Sequence, residues 1–515
     1  MPVPAEQQPA NLLIITVDDM SADSVGVFGA GLAGTTPNID ALAARGLRFD
    51  MAHVQVANCM PSRNVMWTGL YPHSNRVEGF FPVKDADYPT LMGELKKSGY
   101  FTAVRNKVKH STPYSPWAWD RVLDQPINGE PHHAKDPESY GSSVRAGIEE
   151  AALAGKPFFL LVNIDDPHLP FYGRDRSGNP VDDPFHPSRV FTPEEVPVPG
   201  FLFDNPVVRQ EVARYYSTVR RADDAVGEVM AALKAMGKQD STIVLFLSDH
   251  GMPLPFAKTQ LYHHSTRTPL VVVWPGQTDP GSVNNAHMVS AVDLMPTILE
   301  GLSLPLPEGL QGRSFLPLLS GGAQSDRQQV FKSYNENRGG QRRPMRAVET
   351  PELLYIFNPW AAPPPPEIFR PWSVFRPGMH SAAMGTRSWR EMATLGKYDR
   401  RLAWRADLFR HRVPQELYDV RSDPNCLVNL IHEPEYASDL AELQSHMEHW
   451  MRETGDHALE AFVQREDRAA LDNYMRQQEE QAIAQKRNAR REAREAIARA
   501  MRESMKAKPE AQIEQ

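Results

Sequence analysis

The fold and chemistry of this chain are decided in one stretch, Asn58-Cys59-Met60-Pro61-Ser62-Arg63-Asn64-Val65-Met66-Trp67-Thr68-Gly69. Pro61 suits the first turn of a helix, where the N–H that proline lacks would have no partner. Cys59 is therefore predicted to lie just before a helix N-terminus, where free N–H groups and the helix dipole favour anions. Arg63 adds a fixed positive charge, so a reactive side chain at position 59 would face an anionic substrate. The alternative is a small apolar cysteine packed at a strand–helix corner.

The order of residues in this stretch resembles the signature of the type I sulfatases, which belong to the alkaline phosphatase superfamily. The pattern Cys-x-Pro-Ser-Arg, four residues and Thr-Gly is matched by Cys59, Pro61, Ser62, Arg63, Thr68 and Gly69. In that family the cysteine is oxidised after translation to formylglycine (3-oxoalanine), whose hydrated aldehyde is the nucleophile. The resemblance therefore implies a formylglycine at position 59 and a formylglycine-generating maturation enzyme as a partner.

Length and composition are those of a soluble globular enzyme. The chain has 515 residues, which suffices for one large domain and a smaller one, and a net charge of −8. This charge argues against wholesale nucleic-acid binding, and no apolar run approaches the length of a membrane span. Residues 1–10 have neither the basic segment nor the apolar core of a leader, and two cysteines are too few for a disulfide framework. We therefore expect a cytoplasmic protein, or a periplasmic or secreted one if an upstream leader has been lost.

An acidic pair follows the first predicted strand. Leu12–Val17 is a continuous apolar run, typical of a strand buried on both faces of a parallel sheet, and Asp18 and Asp19 come directly after it. Open α/β sheets bind ligands at the carboxyl ends of their strands, and carboxylates are donors for Ca²⁺ or Mg²⁺. The alternative is one helix cap and one solvated acid.

A second polar pair follows the apolar run Thr242–Leu247. Here Asp249 and His250 match the Asp-His-Gly motif with which sulfatases complete their ion site, although imidazole is a softer ligand than oxygen-preferring ions usually choose. The resemblance implies a Ca²⁺ site, with Mg²⁺ as the alternative. Its predicted ligands are Asp18, Asp19, Asp249, His250 and an oxygen of the modified Cys59.

A basic segment follows the short predicted strand Tyr100–Val104. Lys107 and His110 fit the Gly-Lys-x-x-His spacing of the iduronate-2-sulfatase-like branch, with Asn106 in place of the glycine. This departure leaves open whether Lys107 or Lys109 faces the site. The alternative is a basic surface loop.

Two further segments resemble sulfatase motifs. His168 follows the predicted strand Phe158–Ile164 in a Pro-His-x-Pro segment, and Lys258 follows an Asp-His-Gly-x-Pro-x-Pro segment like that of the heparan N-sulfatase branch. The resemblance implies that Lys107, His168 and Lys258 bind the sulfate group, that His168 or Lys258 protonates the leaving group, and that His110 acts as a base. The implied catalytic set is Cys59, Arg63, Lys107, His110, His168 and Lys258.

The predicted fold class is α/β, with a large, mixed, mostly parallel sheet flanked by helices. Residues 1–340 are assigned to the catalytic domain, and residues 341–460 to a smaller domain with a short antiparallel sheet and a helix. Within it, Pro344–Val348 and Leu353–Phe357 are predicted to form a hairpin. Residues 461–515 are charged and rich in alanine, so we predict a helical tail that is solvated or clasps a second subunit as a homo-oligomer.

Three functions are compatible with these observations. The first is hydrolysis of sulfate esters or sulfamates, on a sugar, through the formylglycine hydrate and a divalent cation. The two branches that the motifs resemble cleave different bonds, so O-sulfate and N-sulfate both stay open. The alternatives are a phosphonate monoester or phosphodiester hydrolase of the same superfamily, and a non-catalytic protein that binds sulfated glycans with Cys59 unmodified.

Overall fold

The structure is a computed structural model that describes residues 10–84, 86–115, 119–125, 132–337, 342–363 and 377–506. The strands are β1 (Asn11–Asp18), β2 (Leu47–Phe49), β3 (Ala52–His53), β4 (Val83–Lys84), β5 (Phe101–Arg105), β6 (Tyr114–Ser115), β7 (Arg121–Val122), β8 (Phe158–Pro167), β9 (Thr242–Ser248), β10 (Leu270–Val273), β11 (Ser282–Asn284), β12 (Val289–Ser290), β13 (Val330–Glu336), β14 (Arg342–Glu349), β15 (Leu353–Phe357) and β16 (Gln415–Asp419).

The α-helices are α1 (Pro37–Ala43), α2 (Cys59–Thr68), α3 (Pro72–Asn75), α4 (Leu91–Lys97), α5 (Val108–Ser111), α6 (Pro137–Leu153), α7 (Pro206–Ala235), α8 (His263–Thr266), α9 (Leu294–Gly301), α10 (Leu316–Leu319), α11 (Arg387–Leu395), α12 (Arg400–His411), α13 (Ala437–Thr454), α14 (Leu459–Val463) and α15 (Arg468–Lys506). Short 3₁₀ turns lie at Ala22–Ser24, Gly26–Phe28, Gln239–Ser241, Ala291–Asp293, Ala382–Gly385 and Pro434–Tyr436.

The main sheet has the strand order β11-β2-β10-β9-β1-β8-β5-β7. Strands β9, β1, β8, β5 and β7 run parallel to one another, whereas β10 is antiparallel to both β9 and β2. The predicted large, mixed, mostly parallel sheet is confirmed. The apolar runs at its centre are buried because helices cover both faces, as continuous apolar strands require.

Strand β1 shows how the two faces are filled. Leu13 and Ile15 belong to one apolar cluster together with residues of α6 and α7. Leu12 and Ile14 point to the opposite face and pack with residues of α2, α4 and α9. Because successive side chains alternate between faces, an uninterrupted apolar run is what a strand between two helix layers needs. This packing fixes β1 at the centre of the sheet, so that its carboxyl end lies in the middle of one edge.

The C-terminal part contains a four-stranded antiparallel sheet in the order β13-β14-β15-β16. The predicted hairpin is formed by β14 and β15, in which Val348 pairs with Tyr355. Strand β13 joins this sheet although its residues precede position 341, and α13 packs against β14 and β15. The predicted small antiparallel sheet with a helix is confirmed, while the proposed domain boundaries stay a prediction.

The predicted helical tail is formed by α15. Its first turns are not fully solvated, because Leu471, Tyr474, Met475 and Gln478 are buried. The spacing of three and four residues places these side chains on one face of the helix, which packs against the apolar core. Association of subunits through the tail stays a prediction, and residues 507–515 lie outside the described residues. Among the described helices, none combines the length and the apolar character that crossing a bilayer demands.

Candidate active site

The two polar pairs predicted from sequence meet at one edge of the main sheet. Val17 of β1 lies beside Ser248 of β9 in the register of these parallel strands, so the residues that follow are neighbours. The Asp249 N–H donates to Val17 O (3.1 Å), and the Asp19 N–H donates to Asp249 Oδ1 (3.1 Å). Asp19 has a φ of 73°, in the left-handed region that Asp tolerates better than most residues. This turn directs carboxylates from two strands into one buried space.

Cys59 lies at the centre of this space. It is the first residue of α2, whereas the sequence predicted that it would lie just before the helix. Its Sγ lies 3.5 Å from Asp18 Oδ1 and 3.4 Å from His250 Nε2. Donor atoms of Asp18, Asp19, Cys59 and His250 all lie within 4.8 Å of one another, and all four residues are buried. The structure therefore brings together four of the five residues predicted to bind a metal ion, and Asp249 adjoins them.

Arg63 ties the two acidic strand ends together. Its Nη2 lies 3.1 Å from Asp18 Oδ2 and 3.0 Å from Asp249 Oδ2, while Nη1 donates to Thr16 Oγ1 (2.5 Å) and Asn163 Oδ1 (2.6 Å). The guanidinium group is fully buried. Sequence reasoning missed Thr16 and Asn163, although a polar residue inside an apolar strand is a signal that could have been used.

Lys107, rather than Lys109, faces the site. Its Nζ lies 3.0 Å from Asp18 Oδ2 and 3.0 Å from Asp165 Oδ1, whereas Lys109 is exposed. Asn106 and Lys107 have φ values of 59° and 48°. Asparagine is one of the few residues other than glycine that enters this region readily, so Asn106 can occupy the position of the expected glycine.

Lys258 contacts the opposite side of the cluster. Its Nζ lies 2.6 and 2.8 Å from the two carboxylate oxygens of Asp19 and 4.0 Å from Cys59 Sγ. Although burial alone would lower the pKa of this ammonium group, Asp19 and its neighbours hold it above the ordinary value. Lys258 therefore stays charged beside position 59.

The electrostatics of the site keep the Asp18 carboxylate charged and the Cys59 thiol neutral. Burial alone would raise the pKa of Asp18, but Lys107, His168 and Arg63 outweigh it and hold the pKa well below the ordinary value. Burial, helped by the charge of Asp18, raises the pKa of the Cys59 thiol well above its ordinary value. The unmodified side chain is thus a thiol at neutral pH and a poor nucleophile.

The two predicted catalytic histidines differ in their surroundings, since His110 packs against an aromatic ring whereas His168 lines a cavity. His110 packs edge-on against Phe80, and burial, with the charge of Lys107, lowers its pKa to about 4. Its Nδ1 is buried without a hydrogen-bond partner among the described residues. His168 Nδ1 lies 2.7 Å from Leu169 O, so the N–H is at Nδ1, and the side chain lines a cavity together with Lys107.

The site continues into a charge network that sequence reasoning missed. Lys135 Nζ lies 2.9 Å from Asp165 Oδ2 and 2.6 Å from Asp166 Oδ1, and Arg221 Nε donates to Asp166 Oδ2 (2.6 Å). Since Asp165 also contacts Lys107, the Lys107 ammonium group lies between this network and Asp18. The pair Asp165-Asp166 at the end of β8 was a visible signal for it.

The donor set fits a divalent cation. Three carboxylates of Asp18, Asp19 and Asp249 converge with one imidazole, and oxygen-rich sites suit hard cations. Asp249 Oδ2 is buried and accepts no hydrogen bond, although Arg63 lies close to it. His250 Nδ1 lies 3.0 Å from Gly251 O, which can only accept, so the lone pair of the neutral ring is on Nε2 and faces Cys59 and Asp19.

Comparison with known proteins agrees with this geometry. A family model described as Sulfatase matches residues 10–303, more than half of the chain. The chain is 30% identical over 482 residues to the human N-sulphoglucosamine sulphohydrolase, covering 87% of this chain and 91% of that protein. It is 26% identical over 483 residues to an ulvan-active sulfatase of Formosa agariphila, covering 87% of this chain and 76% of that protein. A solved structure of a protein in complex with its substrate D-glucosamine-2-N,6-O-disulfate has a TM-score of 0.63 at 18% identity, and the match covers 87% of this chain and 99% of that one.

Proposed function

Because this chain belongs to the sulfatase family and is a sulfuric ester hydrolase, we propose that it removes sulfate groups from a sulfated sugar at the site around Cys59. The observation that carries the proposal is the convergence of Cys59, Asp18, Asp19 and His250 within 4.8 Å. The names of the relatives favour this reaction over hydrolysis of a phosphonate or phosphodiester.

Cys59 is proposed as the precursor of the nucleophile. The family uses a formylglycine at this position, which supplies the attacking oxygen. The raised pKa of the thiol supports the need for such a modification, since the unmodified side chain is neutral at pH 7. A maturation enzyme of the host must reach residue 59 before folding, because the residue is only 4% exposed in the folded chain.

We further propose that Asp18, Asp19, Asp249 and His250 hold Ca²⁺, with Mg²⁺ as the alternative. When bound, the ion supplies a Lewis acid that polarises oxygen atoms at the reaction centre. Arg63 keeps Asp18 and Asp249 at a fixed separation whether or not the ion is present, because it contacts both. The residues thus form a rigid, negatively charged base to the site.

The surrounding cations are proposed to bind the sulfate group. Lys107 and Lys258 approach the cluster from Asp18 and Asp19 respectively, so their ammonium groups flank position 59. Fixed positive charges in a water-poor site stabilise charge on the sulfate oxygens in the transition state. His168 is the proposed proton donor to the leaving oxygen or nitrogen, through Nε2, with Lys258 as the alternative donor.

His110 is proposed to accept a proton later in the cycle. Its low pKa keeps it neutral at pH 7, and its Nδ1 makes no hydrogen bond that would have to be broken. A neutral imidazole in a buried position near Lys107 is suited to this role.

A substrate panel tests the proposal. Protein co-expressed with a formylglycine-generating enzyme is incubated with N-sulfoglucosamine, an O-sulfated glucosamine, 4-nitrophenyl sulfate and a phenylphosphonate ester, and peptide mass spectrometry records the state of residue 59. We expect an aldehyde at residue 59 and release of sulfate from at least one sulfated sugar. Cleavage of the phosphonate alone, with every sulfate left intact, would contradict the proposal. Sugar binding without turnover by protein that carries the aldehyde would favour the non-catalytic alternative.

A further inference from the structure

Three arginines, Arg214, Arg387 and Arg390, here called the arginine wall, line the same cavity as two of the proposed sulfate-binding residues. Lys107 and His168 line a cavity of about 820 Å³, and the same cavity is lined by Arg214, Arg387 and Arg390. Ligand pockets span roughly 300–1,000 Å³, so this one lies in the upper part of the range. Its volume accommodates more than one sulfated sugar ring.

These arginines have no carboxylate partners among the described residues. No ion pair within 4.0 Å and no side-chain hydrogen bond involves the guanidinium groups of Arg214, Arg387 or Arg390 in the part of the chain that the structure describes. Arginines elsewhere are often paired, as half-buried Arg209 is with Asp204 and exposed Arg421 is with Glu352. The three cavity arginines therefore offer free donors to the cavity.

The carboxylates that also line the cavity are engaged by other groups. Glu211 accepts the backbone N–H groups of Arg387 and Ser388 at 2.8 and 2.6 Å, so it binds the start of α11. Asp175 accepts the N–H groups of Ser177 and Asn179 within its own turn. Asp165 contacts both Lys107 and Lys135. None of these acids forms an ion pair with the three arginines, and the charge of Glu211 offsets only part of the pKa shift of Arg214.

The arrangement is unfavourable for the protein alone. Half-burial, and to a smaller extent the charges of Arg174 and Arg387, lower the pKa of Arg214 to about 10, although Glu211 opposes the shift. Arg387 and Arg390 lie in the first turn of α11, the end of a helix at which positive charge is disfavoured. A chain with a net charge of −8 nevertheless concentrates unpaired positive charge on one wall of one cavity.

We propose that Arg214, Arg387 and Arg390 form a subsite for a second anionic group, a sulfate or a carboxylate, on a sugar next to the one that is desulfated. The inference rests on the proposed function and names its substrate class, which is an oligosaccharide with several negative charges. Guanidinium groups match sulfate and carboxylate oxygens with paired N–H donors. Lys107 and His168 then bind the sulfate to be removed, while the arginine wall fixes the register of the chain.

The proposal is tested with Arg214→Gln, Arg387→Gln, Arg390→Gln and the triple variant. The matched control is Arg401→Gln on α12, whose side chain is 93% exposed and lies outside the cavity. Three probes are compared: a sulfated heparin tetrasaccharide, the same tetrasaccharide without O-sulfates but with N-sulfates and carboxylates, and 4-nitrophenyl sulfate. Binding of the tetrasaccharides is measured calorimetrically on the Cys59→Ala background, so that it does not depend on turnover.

We expect tetrasaccharide binding to weaken about tenfold for half-buried Arg214→Gln and about threefold for each exposed arginine, with a shallower salt dependence for the triple variant. Turnover of 4-nitrophenyl sulfate, which has one charge, should not change. If the variants bind the tetrasaccharide without O-sulfates as tightly as the parent does, the subsite binds an O-sulfate. If they still bind it more weakly than the parent does, the subsite binds a carboxylate or an N-sulfate.

The failures of the two proposals are distinguishable. Equal losses with 4-nitrophenyl sulfate and the tetrasaccharide, or unchanged tetrasaccharide binding in the triple variant, would overturn the subsite without contradicting the sulfatase reaction proposed for the parent protein. Arginine-dependent binding by a protein that hydrolyses none of the sulfates would leave the subsite and overturn the proposed reaction.

Discussion

Two buried clusters in this protein contain the same kinds of side chain, and they differ in how their charges are balanced. The Cys59 cluster comprises Asp18, Asp19, Cys59, Asp249 and His250. The Cys426 cluster comprises His53, His263, Lys332, Glu349 and Cys426. Each brings at least three metal-binding donor atoms within 4.8 Å of one another.

The Cys426 cluster is internally neutralised. Glu349 Oε1 lies 2.7 Å from His263 Nδ1 and 3.5 Å from His53 Nε2, and Lys332 contacts the other carboxylate oxygen. Lys332 and Glu349 belong to β13 and β14, whereas His53 belongs to β3 beside the main sheet. The cluster therefore joins the C-terminal sheet to the catalytic part of the chain.

The charges of the Cys59 cluster are offset by cations around it, since Arg63, Lys107 and Lys258 contact its carboxylates. Three carboxylates converge there, one of their oxygens lacks a hydrogen bond, and Lys107 connects the cluster to the cavity. Proximity of donor atoms does not separate the two clusters, since both meet that criterion. We propose that three converging carboxylates and access to a cavity mark the Cys59 cluster as the reactive centre and the Cys426 cluster as a structural junction.

The largest expected difference between the clusters concerns their cysteines. Cys59→Ala removes the precursor of the nucleophile, so we expect turnover of sulfate to fall at least ~10⁴-fold. Cys426→Ala should leave turnover per folded molecule unchanged, since Cys426 is a buried, neutral thiol in a structural position. Steady-state sulfate release by both variants, with circular dichroism to check folding, measures the difference. Comparable activity of Cys59→Ala and the parent would refute the assignment of the reactive centre.

A smaller effect is expected at the lysine that connects the Cys59 cluster to the cavity. Lys107→Met removes a charge that contacts Asp18 and is proposed to stabilise the sulfate, so we expect kcat to fall by about 10²–10³-fold. Lys109→Met is the matched control, because Lys109 lies two residues away and is exposed. Equal losses in the two variants would mean that the basic segment acts through its overall charge and not through Lys107.

The dependence of activity on a metal ion should change with substitutions in the Cys59 cluster and not with substitutions in the Cys426 cluster. After chelation, we expect Ca²⁺ to restore activity, and we expect Asp249→Asn to raise the concentration needed for half of the activity by about 10–100-fold, since a charged ligand is lost. Glu349→Gln should lower the thermal midpoint but leave the Ca²⁺ requirement unchanged. Titration of activity against free Ca²⁺ in both variants measures this. A raised requirement in Glu349→Gln would show that the Cys426 cluster also binds the ion.

Much of the Cys59 cluster could be predicted because its residues follow apolar strands or begin a helix. Asp18, Asp249 and Cys59 are each marked by such a local pattern, and the carboxyl ends of parallel strands lie at one edge. Local patterns do not give the register between strands distant in sequence. Thr16 and Asn163 lie opposite each other in β1 and β8, and they fix Arg63 only because of that register.

The arginine wall and the Cys426 cluster could not be predicted for a related reason. Arg214 lies in α7 and Arg387 in α11, more than 170 residues later in the chain. Glu349 and His53 are even further apart, and neither lies in a motif. Contacts of this kind result from packing between separate layers, which the periodicity of a single segment does not encode.

The smallest expected effect is a pH dependence of stability at the Cys426 cluster. Burial, and the nearby charge of Lys332, lower the pKa of His53 well below its ordinary value of about 6.5, although Glu349 opposes the shift. The unfolded chain therefore takes up a proton at this site as the pH falls through about 6.5, while the folded chain does not, so the free energy of unfolding decreases on the acid side. In His53→Gln, the free energy of unfolding should decrease less steeply between pH 6.5 and 5, by at most about 1.4 kcal/mol per pH unit less than in the parent protein. Urea unfolding at a series of pH values measures this slope. His449→Gln, at an exposed position of α13, is the control and should keep the slope of the parent protein. An unchanged slope in His53→Gln would mean that His53 is protonated in the folded protein, and the junction would then carry a net positive charge.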